Sequence, residues 1–382
     1  MLTNSDIVEL TAWRHELHRH PEVSREERQT AARVTKALQG LGADRVLNGL
    51  GGHGVAGIFD GAADGPTILF RAELDALPIT EKTLVPYRSA APGKGHLCGH
   101  DGHMALLMGL ARLLARARPA RGRVILMFQP AEEDGSGAAA VVDDAAFKAI
   151  CPDWAFSIHN MPGLPFGQGA LKAGVVNCAS VGVKIMLTGK TAHASMPETG
   201  SSPAAAVARL IPALSALGPG GTLGPDYRLV TVTHANVGEP AFGIAPGDAE
   251  LWVTLRTMAD EQMADLRGAA MAIAQAEAQA DGLAVRFTDH DDFAASVNDS
   301  DATARFAAAL DALKVPYDAG DLPMRASEDF GRFGRAPTRA AMLFLGAGEA
   351  HPALHNPDYD FPDALIPLGV GIFHRVMCDL LG

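Results

Sequence analysis

Residues 67–78 read TILFRAELDALP, an apolar run that ends in charged side chains. The same pattern recurs in VILMFQP (124–130), DWAFSIHN (153–160) and AMLFLGAG (341–348). Short runs rich in Val, Ile, Leu and Phe are typical of strands that are buried on both faces. Helical patterns such as residues 104–122 separate them. The alternation therefore predicts an α/β domain with a mixed, mainly parallel sheet flanked by helices.

The N-terminal region predicts an outer layer of helices. Residues 6–40 have the pattern of two helices, and the second is predicted to begin near Ser24, with Glu27 at capping-box spacing. The Gly-rich stretch 49–61 then predicts a short hairpin.

Residues 181–290 have a different pattern. Alternating strands and two helices follow one another in the order β-α-β-β-α-β, which predicts a ferredoxin-like α+β module. A chain of 382 residues is also longer than one hydrophobic core usually supports. We therefore expect a larger domain formed by 1–180 and 291–382, and an inserted domain formed by 181–290.

Composition excludes several classes of protein. The net charge is −12 and no basic run stands out, so binding to nucleic acid or to an anionic membrane is not expected. The first residues lack the pattern of a secretory signal, and no apolar run reaches the roughly 20 residues of a membrane helix. We expect a cytoplasmic protein whose four cysteines are reduced.

Chemically active side chains follow the predicted strands. In α/β sheets, ligands bind outside the carboxyl ends of the strands. The residues at those ends are 71–75, 129–133, His159 and 346–355, and they include most of the Asp, Glu and His residues that could act in catalysis.

The densest cluster of possible metal ligands is HLCGHDGH at 96–103. Thiolate and imidazole both bind zinc and related divalent ions, and Gly99 and Gly102 allow the backbone to bend closely around an ion. A helix cap with incidental histidines remains an alternative.

A second signal is QPAEEDGSG at 129–137, where two adjacent carboxylates end a strand. Side chains of neighbouring strand residues point to opposite faces, so both can reach one cleft only where the strand has broken. Pro130 and Gly135 favour such a break. A solvated acidic loop is the alternative.

Together these motifs predict a centre for two divalent ions. Each ion needs about three or four ligands, and a shared group such as a thiolate can bridge two ions. The predicted ligands are Cys98, His100, Glu133, His159 and His355. Glu132 would then transfer protons, although the residues alone do not decide the order within the carboxylate pair. Zinc, manganese, cobalt and nickel all suit these donors.

Several blocks in order resemble one known family. WRHELHRHPEVSREE (13–27), HLCGHDGHMA (96–105), FQPAEEDGSGA (128–138) and GKTAHASMPETGSSP (189–203) are similar to blocks of the hippurate hydrolase and indoleacetyl-amino-acid hydrolase group of the aminoacylase/carboxypeptidase metallohydrolases. The resemblance runs through almost the entire chain. It implies a metal-dependent amidohydrolase that cleaves N-acyl amino acids and forms a homodimer or a larger even-numbered oligomer through an inserted lid or dimerisation domain.

The resemblance also implies roles for individual residues. It implies the same five metal ligands, with Cys98 as the bridge, and Glu132 as the general base. Asp75 matches an acid that orients a ligand, although a turn or cap role remains open. His193 and Arg256 match positions that face the substrate from the lid, with a loop polar residue and a strand salt bridge as the alternatives.

This chain departs from the family pattern at several positions. Glu73 replaces the usual Asp, Gly243 stands where the family commonly has Asn, and residues 245–247 replace an Ile-Pro-Asp block. These changes near 243–247 predict a difference in substrate recognition.

Two other functions remain open. A dipeptidase or aminopeptidase would use the same metals, but no acidic pocket for a free amine is evident in the sequence. A metal-binding scaffold without catalysis would not need a base beside its ligands, yet Glu132 is present. A dinucleotide enzyme is disfavoured because GKGHLCG lacks the spacing of the phosphate-binding motif.

Overall fold

The computed structural model describes residues 1–382, which form nine α-helices and sixteen strands. The helices are α1 (Asn4–Arg19), α2 (Arg28–Gly40), α3 (His100–Arg116), α4 (Gly137–Asp143), α5 (Ala145–Lys148), α6 (Ala204–Ala216), α7 (Asp260–Ala280), α8 (Ser300–Leu313) and α9 (Leu365–Leu381). The first eight strands are β1 (Arg45–Leu50), β2 (Gly54–Asp60), β3 (Thr67–Glu73), β4 (Arg123–Gln129), β5 (Trp154–Pro162), β6 (Gly169–Ala170), β7 (Gly174–Asn177) and β8 (Ala179–Thr188). The others are β9 (Ala192–His193), β10 (Arg228–Val237), β11 (Ile244–Ala245), β12 (Asp248–Thr257), β13 (Ala284–Phe293), β14 (Ser296–Asn298), β15 (Tyr317–Asp318) and β16 (Arg339–Gly348).

These elements belong to two units. The larger unit contains Met1–Val176, Ser296–Leu322 and Asp329–Gly382, and the smaller unit contains Asn177–Ala295 and Pro323–Glu328. The predicted insertion, 181–290, lies inside the smaller unit. The sequence pattern did not predict that residues 323–328 also belong to the smaller unit.

The largest sheet has eight strands in the order β1-β2-β4-β3-β5-β16-β6-β15. β3 pairs in parallel with β4 and β5, and β16 pairs in parallel with β5. The four apolar runs predicted as strands are therefore its central, parallel strands. β1 and β2 form an antiparallel hairpin at one edge, and its first strand begins at Arg45, before the stretch 49–61 in which the hairpin was predicted. The prediction of a mixed, mainly parallel sheet flanked by helices is confirmed.

Burial on both faces explains why these strands are apolar at successive positions. Ile68 and Phe70 of β3 belong to a core that also contains Leu106 of α3 and Val370 of α9. The intervening Leu69 is equally buried on the opposite face. Burying one such side chain stabilises the fold by about 1.5–3 kcal/mol.

The start of the second helix differs from the prediction. α2 begins at Arg28, about one turn after Ser24, and the side chain of Glu27 makes no capping bond to it. Instead, the Ser24 hydroxyl donates a hydrogen bond to Oδ2 of Asp75 at 2.7 Å, and Glu27 accepts one from the backbone N–H of Ala131 at 2.8 Å. The local pattern had assigned both side chains to a helix cap, but they instead form hydrogen bonds with residues that are distant in sequence.

The smaller unit has a four-stranded antiparallel sheet in the order β10-β12-β8-β13. Helices α6 and α7 pack on this sheet, and the sequence order of the elements is β8-α6-β10-β12-α7-β13. This is the predicted β-α-β-β-α-β order. The role of the unit as a lid or dimerisation domain stays a prediction.

None of the helices combines the length and the apolar character that crossing a membrane requires.

Candidate metal centre

The predicted ligands of the larger unit lie at the carboxyl ends of its central strands. β4 ends at Gln129, just before Glu132 and Glu133. His159 lies near the end of β5, and His355 follows β16. Cys98 and His100 lie at the start of α3. Parallel neighbours bring these strand ends to one edge of the sheet, so residues far apart in sequence become adjacent.

A tight turn joins Cys98 to His100. Gly99 has φ +94°, a left-handed conformation that side chains other than glycine rarely adopt. A Cβ at this position would lie 2.4 Å from Nδ2 of Asn160 and 2.7 Å from the hydroxyl of Tyr359. Only glycine therefore fits between the two ligands.

Hydrogen bonds fix which nitrogen of His100 and of His159 can bind an ion. Nδ1 of His100 lies 2.9 Å from the carbonyl oxygen of Asp75, and Nδ1 of His159 lies 2.7 Å from the carbonyl oxygen of Asn160. A carbonyl oxygen only accepts, so both Nδ1 atoms must carry the proton. The Nε2 lone pairs then face the cluster, an orientation typical of metal-bound histidines.

A strained residue turns both carboxylates into the cluster. Ala131 has φ +49°, so the strand breaks after Pro130 as predicted. Glu132 Oε2 and Glu133 Oε1 each lie 3.8 Å from Nε2 of His100. Glu132 is only 6% exposed, which rules out a solvated acidic loop.

The donor atoms converge closely. Sγ of Cys98 lies 3.5 Å from Nε2 of His159, and Nε2 of His355 lies 3.6 Å from Oε2 of Glu133. Within each of three groups, the donor atoms lie no more than 4.8 Å from one another. These groups are Cys98, His100 and His159; Cys98, Glu133 and His355; and His100, Glu132 and Glu133. Cys98 belongs to two of these groups.

Burial shapes the protonation of the ligands. Burial, together with Glu133, raises the pKa of the Cys98 thiol, and burial lowers the pKa of His159 and of His355. Burial also opposes the charge of His100, but Cys98 and Asp75 outweigh it and raise its pKa. The thiol would have to lose its proton to bind an ion, so binding would release a proton.

These features fit divalent ions. Nε2 of His100 is buried without a hydrogen-bond partner, an arrangement that is costly unless the lone pair binds something. The mixture of sulfur, nitrogen and oxygen donors suits zinc and its neighbours. Asp75 is fully buried, and its Oδ2 accepts a hydrogen bond from the N–H of Glu133 at 3.0 Å. Asp75 therefore contacts the backbone of Glu133 with its carboxylate and the imidazole of His100 with its own carbonyl oxygen.

Sequence reasoning missed a polar layer beneath the ligands. Nδ1 of His103 lies 2.7 Å from Oε2 of Glu73, and Nε2 of His103 accepts a hydrogen bond from the backbone N–H of Asn160 at 3.1 Å. The side-chain amide of Asn160 donates to the carbonyl oxygen of Cys98 at 2.8 Å, and the hydroxyl of Tyr359 donates to Asn160. His103 lies within the motif HLCGHDGH, and its spacing of three residues from His100 puts both on one face of the helix.

The two predicted substrate residues lie in the smaller unit. His193 is exposed, and its Nδ1 accepts hydrogen bonds from the backbone N–H of Ser195 at 3.1 Å and from its hydroxyl at 2.7 Å. NH1 of Arg256 donates to the carbonyl oxygen of Arg325 at 2.8 Å and to the hydroxyl of Ser327 at 2.9 Å. Both acceptors of this guanidinium nitrogen are neutral, unlike those of a strand salt bridge.

Known proteins share this fold and sequence. The YXEP protein of Bacillus subtilis, described as a dinuclear metal-binding peptidase from the M20 family, superposes with a TM-score of 0.82 and 25% identity, over 100% of this chain and 99% of that one. The hippurate hydrolase of Campylobacter jejuni is 31% identical over 95% of this chain and 94% of its own length. The N-acetyl-L-cysteine deacetylase of Bacillus subtilis is 36% identical over 66% of this chain, but the match spans only 60% of that enzyme.

The fold and the donor cluster define the class of this protein, a metal-dependent amidohydrolase. The model of peptidase family M20/M25/M40 matches residues 69–379, and the chain belongs to that family. The resemblance found in the sequence motifs, and the prediction that the chain is an enzyme of this class, are thereby confirmed.

Proposed function

We propose that this enzyme hydrolyses the amide bond of an N-acyl amino acid to a carboxylic acid and a free amino acid. Two of its relatives are a hippurate hydrolase and an N-acetyl-L-cysteine deacetylase, whose names both specify acylated amino acids. The observation that carries the proposal is the carboxylate pair, because Glu132 and Glu133 both face Nε2 of His100 at 3.8 Å. One carboxylate can hold an ion while the other handles protons.

In this proposal Cys98, His100, Glu133, His159 and His355 hold two divalent ions. Zinc, manganese, cobalt and nickel all suit the donor set. Ions bound there would lower the pKa of a water molecule from 15.7 to about 7 and polarise the amide carbonyl.

Glu132 then acts as general base and general acid. Its carboxylate accepts a proton from the attacking water, whose oxygen forms the new bond to the carbonyl carbon. The same proton passes to the amide nitrogen as the C–N bond breaks, because an amine leaves poorly until it is protonated. The products are a carboxylic acid and an amine, and Glu132 returns to its starting state.

The smaller unit supplies the proposed contacts for the substrate carboxylate, Arg256 and His193. A guanidinium binds a carboxylate in bidentate geometry. The neutral partners of Arg256 in its own unit leave its positive charge available to an anion. Assembly as a homodimer or a larger even-numbered oligomer through this unit is part of the proposal.

The test is a substrate panel with the enzyme reconstituted in turn with zinc, manganese, cobalt and nickel. Acetyl, benzoyl and indoleacetyl amino acids would be compared with a dipeptide that has a free amino group, and amine release would be measured. We expect turnover of at least one acylated amino acid and its loss in Glu132→Gln. Preference for the dipeptide would support a peptidase, and inertness of protein with two bound ions would support a scaffold.

A further inference from the structure

The residue before Glu132 has an unfavourable backbone conformation. Ala131 has φ +49° and is almost fully buried. A left-handed conformation is unfavourable for a residue other than glycine, because its Cβ crowds the neighbouring carbonyl oxygen. Such a conformation persists only where the surrounding structure holds it in place. The direction in which Glu132 points depends on this turn, so the groups that hold Ala131 matter for Glu132.

Two buried carboxylates hold the turn, one on each side of Glu132. Oε1 of Glu27 accepts a hydrogen bond from the backbone N–H of Ala131 at 2.8 Å. Oδ2 of Asp75 accepts one from the backbone N–H of Glu133 at 3.0 Å. Hydrogen bonds to charged acceptors are stronger than those between neutral groups. The backbone of residues 131–133 is therefore fixed at both ends.

Glu27 is itself held rigidly. It is fully buried, and its Oε1 also accepts a hydrogen bond from the backbone N–H of Arg25 at 2.9 Å. Although it precedes α2, its side chain does not cap that helix. Burial raises the pKa of the Glu27 carboxyl, which reflects the cost of keeping an acid inside the protein. Outside its own loop, the Glu27 carboxylate forms a hydrogen bond with the backbone N–H of Ala131.

We propose that Glu27 is a positioning residue for Glu132, an inference that rests on the proposed role of Glu132 as general base. Glu27 acts through the backbone N–H of Ala131 and does not touch the substrate. Without it, residue 131 relaxes from its left-handed conformation, and the carboxylate of Glu132 turns away from Nε2 of His100. Reacting groups that shift by about 1 Å can lose a hundredfold in rate.

The test compares Glu27→Ala with Glu27→Gln and with the control Glu22→Ala. Glu22 serves the same helix, since its Oε2 accepts hydrogen bonds from the N–H groups of Gln29 at 2.9 Å and Thr30 at 2.8 Å. For Glu27→Ala we expect kcat to fall roughly 10- to 100-fold, with KM within about twofold of the parent and both ions retained. Glu27→Gln should retain most of the kcat of the parent, because its carbonyl oxygen can accept the same two hydrogen bonds from backbone N–H groups.

Glu22→Ala should lower thermal stability and leave kcat unchanged. If it reduces kcat as much as Glu27→Ala does, the loss reflects damage to α2 and the positioning role is wrong. A Glu27→Ala protein with the parent's kcat would also overturn the inference. Should Glu27→Ala fail to fold, Glu27→Gln still decides, because a large loss of kcat in a folded Glu27→Gln would contradict the acceptor role.

A rescue experiment separates positioning from a structural defect. Glycine adopts φ +49° without steric cost, so Glu27→Ala combined with Ala131→Gly should recover several-fold in kcat. No such gain is expected when Ala131→Gly is combined with Glu22→Ala. In a crystal structure of Glu27→Ala, φ of Ala131 should become negative. Glu132→Gln provides the reference. Full activity of Glu132→Gln would overturn the proposed function itself. If Glu132→Gln is inactive with both ions bound, but Glu27→Ala keeps the activity of the parent, only this inference would be overturned.

Discussion

Sγ of Cys98 lies 3.5 Å from Nε2 of His159, while Cys98 also belongs to a second group of donors with Glu133 and His355. One sulfur atom is thus near both sets of possible ligands. A thiolate can bridge two ions, so its removal should empty at least one site. Cys98→Ala should therefore bind fewer than two ions per chain by elemental analysis.

Two variants control the Cys98 experiment. Cys98→Asp keeps a negatively charged group that can bridge two ions and should retain more metal than Cys98→Ala. Cys151 is exposed and lies outside the donor groups, so Cys151→Ala should match the parent. Two ions in Cys98→Ala would exclude a bridging role.

For the carboxylate pair we predict that two conservative substitutions both lower activity but differ in their effect on metal content. Glu132→Gln keeps the shape of the side chain but loses its basicity, so turnover should fall by roughly 10² to 10⁴ while both ions stay bound. Glu133→Gln should lose metal as well as activity, because Glu133 approaches both His100 and His355. Activity assays and elemental analysis of the same preparations would check both. A metal-free Glu132→Gln beside a metal-replete Glu133→Gln would reverse the assignment.

Much of this site could be predicted because its chemistry lies in short motifs at strand ends. Cys98, Gly99 and His100 are adjacent in sequence, and the local break at Pro130 was visible as well. What the sequence could not show is tertiary. The helical pattern suggested a cap at Glu27, yet its carboxylate bonds to Ala131, 104 residues away.

The same limit applies to the polar layer beneath the ligands. The link between His103 and Asn160 joins a helix to a strand 57 residues away. Neither residue type nor spacing reveals such a bond. The parallel neighbours of β5 likewise depend on packing between distant segments rather than on local pattern.

A buried histidine predicts how stability depends on pH. The ring of His18 is fully buried, with Nδ1 2.9 Å from Oδ2 of Asp101 and Nε2 3.1 Å from Oε1 of Glu81. Burial opposes the charge of His18, but these carboxylates outweigh it and raise its pKa from 6.5 to about 9. The folded state therefore binds an extra proton between pH 6.5 and 9, and the stability that His18 contributes is lost as pH rises through this window.

The loss should be on the order of 3 kcal/mol, since one pKa unit corresponds to about 1.4 kcal/mol. Urea unfolding of the parent and of His18→Gln, followed from pH 6 to 9.5 at equal metal content, would measure it. The difference between the two proteins should shrink as pH rises. The exposed His20 provides a control, because His20→Gln should follow the parent. A constant difference between parent and His18→Gln would contradict the prediction.

The smaller unit predicts self-association. β10 is an edge strand of its sheet, and residues 233–236 within it are exposed. An edge strand offers unpaired backbone groups that a second copy can bind. We expect light scattering at micromolar concentration to give the mass of a dimer or a larger even-numbered assembly.

Charge placed on that edge should weaken the assembly. Ala235→Lys adds an exposed lysine to β10, and lysines on edge strands oppose pairing. Ala284→Lys adds the same charge to β13, at the other edge of the sheet, and should not change the mass. A monomeric parent would contradict the prediction. If Ala284→Lys caused dissociation and Ala235→Lys did not, the interface would lie at β13 instead.

Arg256 provides the last prediction, which concerns how the substrate is recognised. The guanidinium is partly buried, and burial lowers its pKa, which means that its charge is costly without an anionic partner. The partners of NH1 are a carbonyl oxygen and a hydroxyl, whereas an N-acyl amino acid carries a carboxylate. Binding that carboxylate would offset the cost of the buried charge.

For Arg256→Ala we therefore expect KM to rise most for substrates with a free carboxylate, by roughly tenfold or more, since a hydrogen bond to a charged group contributes about 1.5–3 kcal/mol. The corresponding substrate amides should be affected much less, because they lack the charge that the guanidinium would bind. Arg286→Ala, which removes an exposed arginine from β13 of the same sheet, should leave both substrates unchanged. Steady-state kinetics with matched acid and amide pairs would measure the difference. Equal damage to both members of a pair would mean that Arg256 supports the local structure through Arg325 and Ser327 rather than binding the carboxylate.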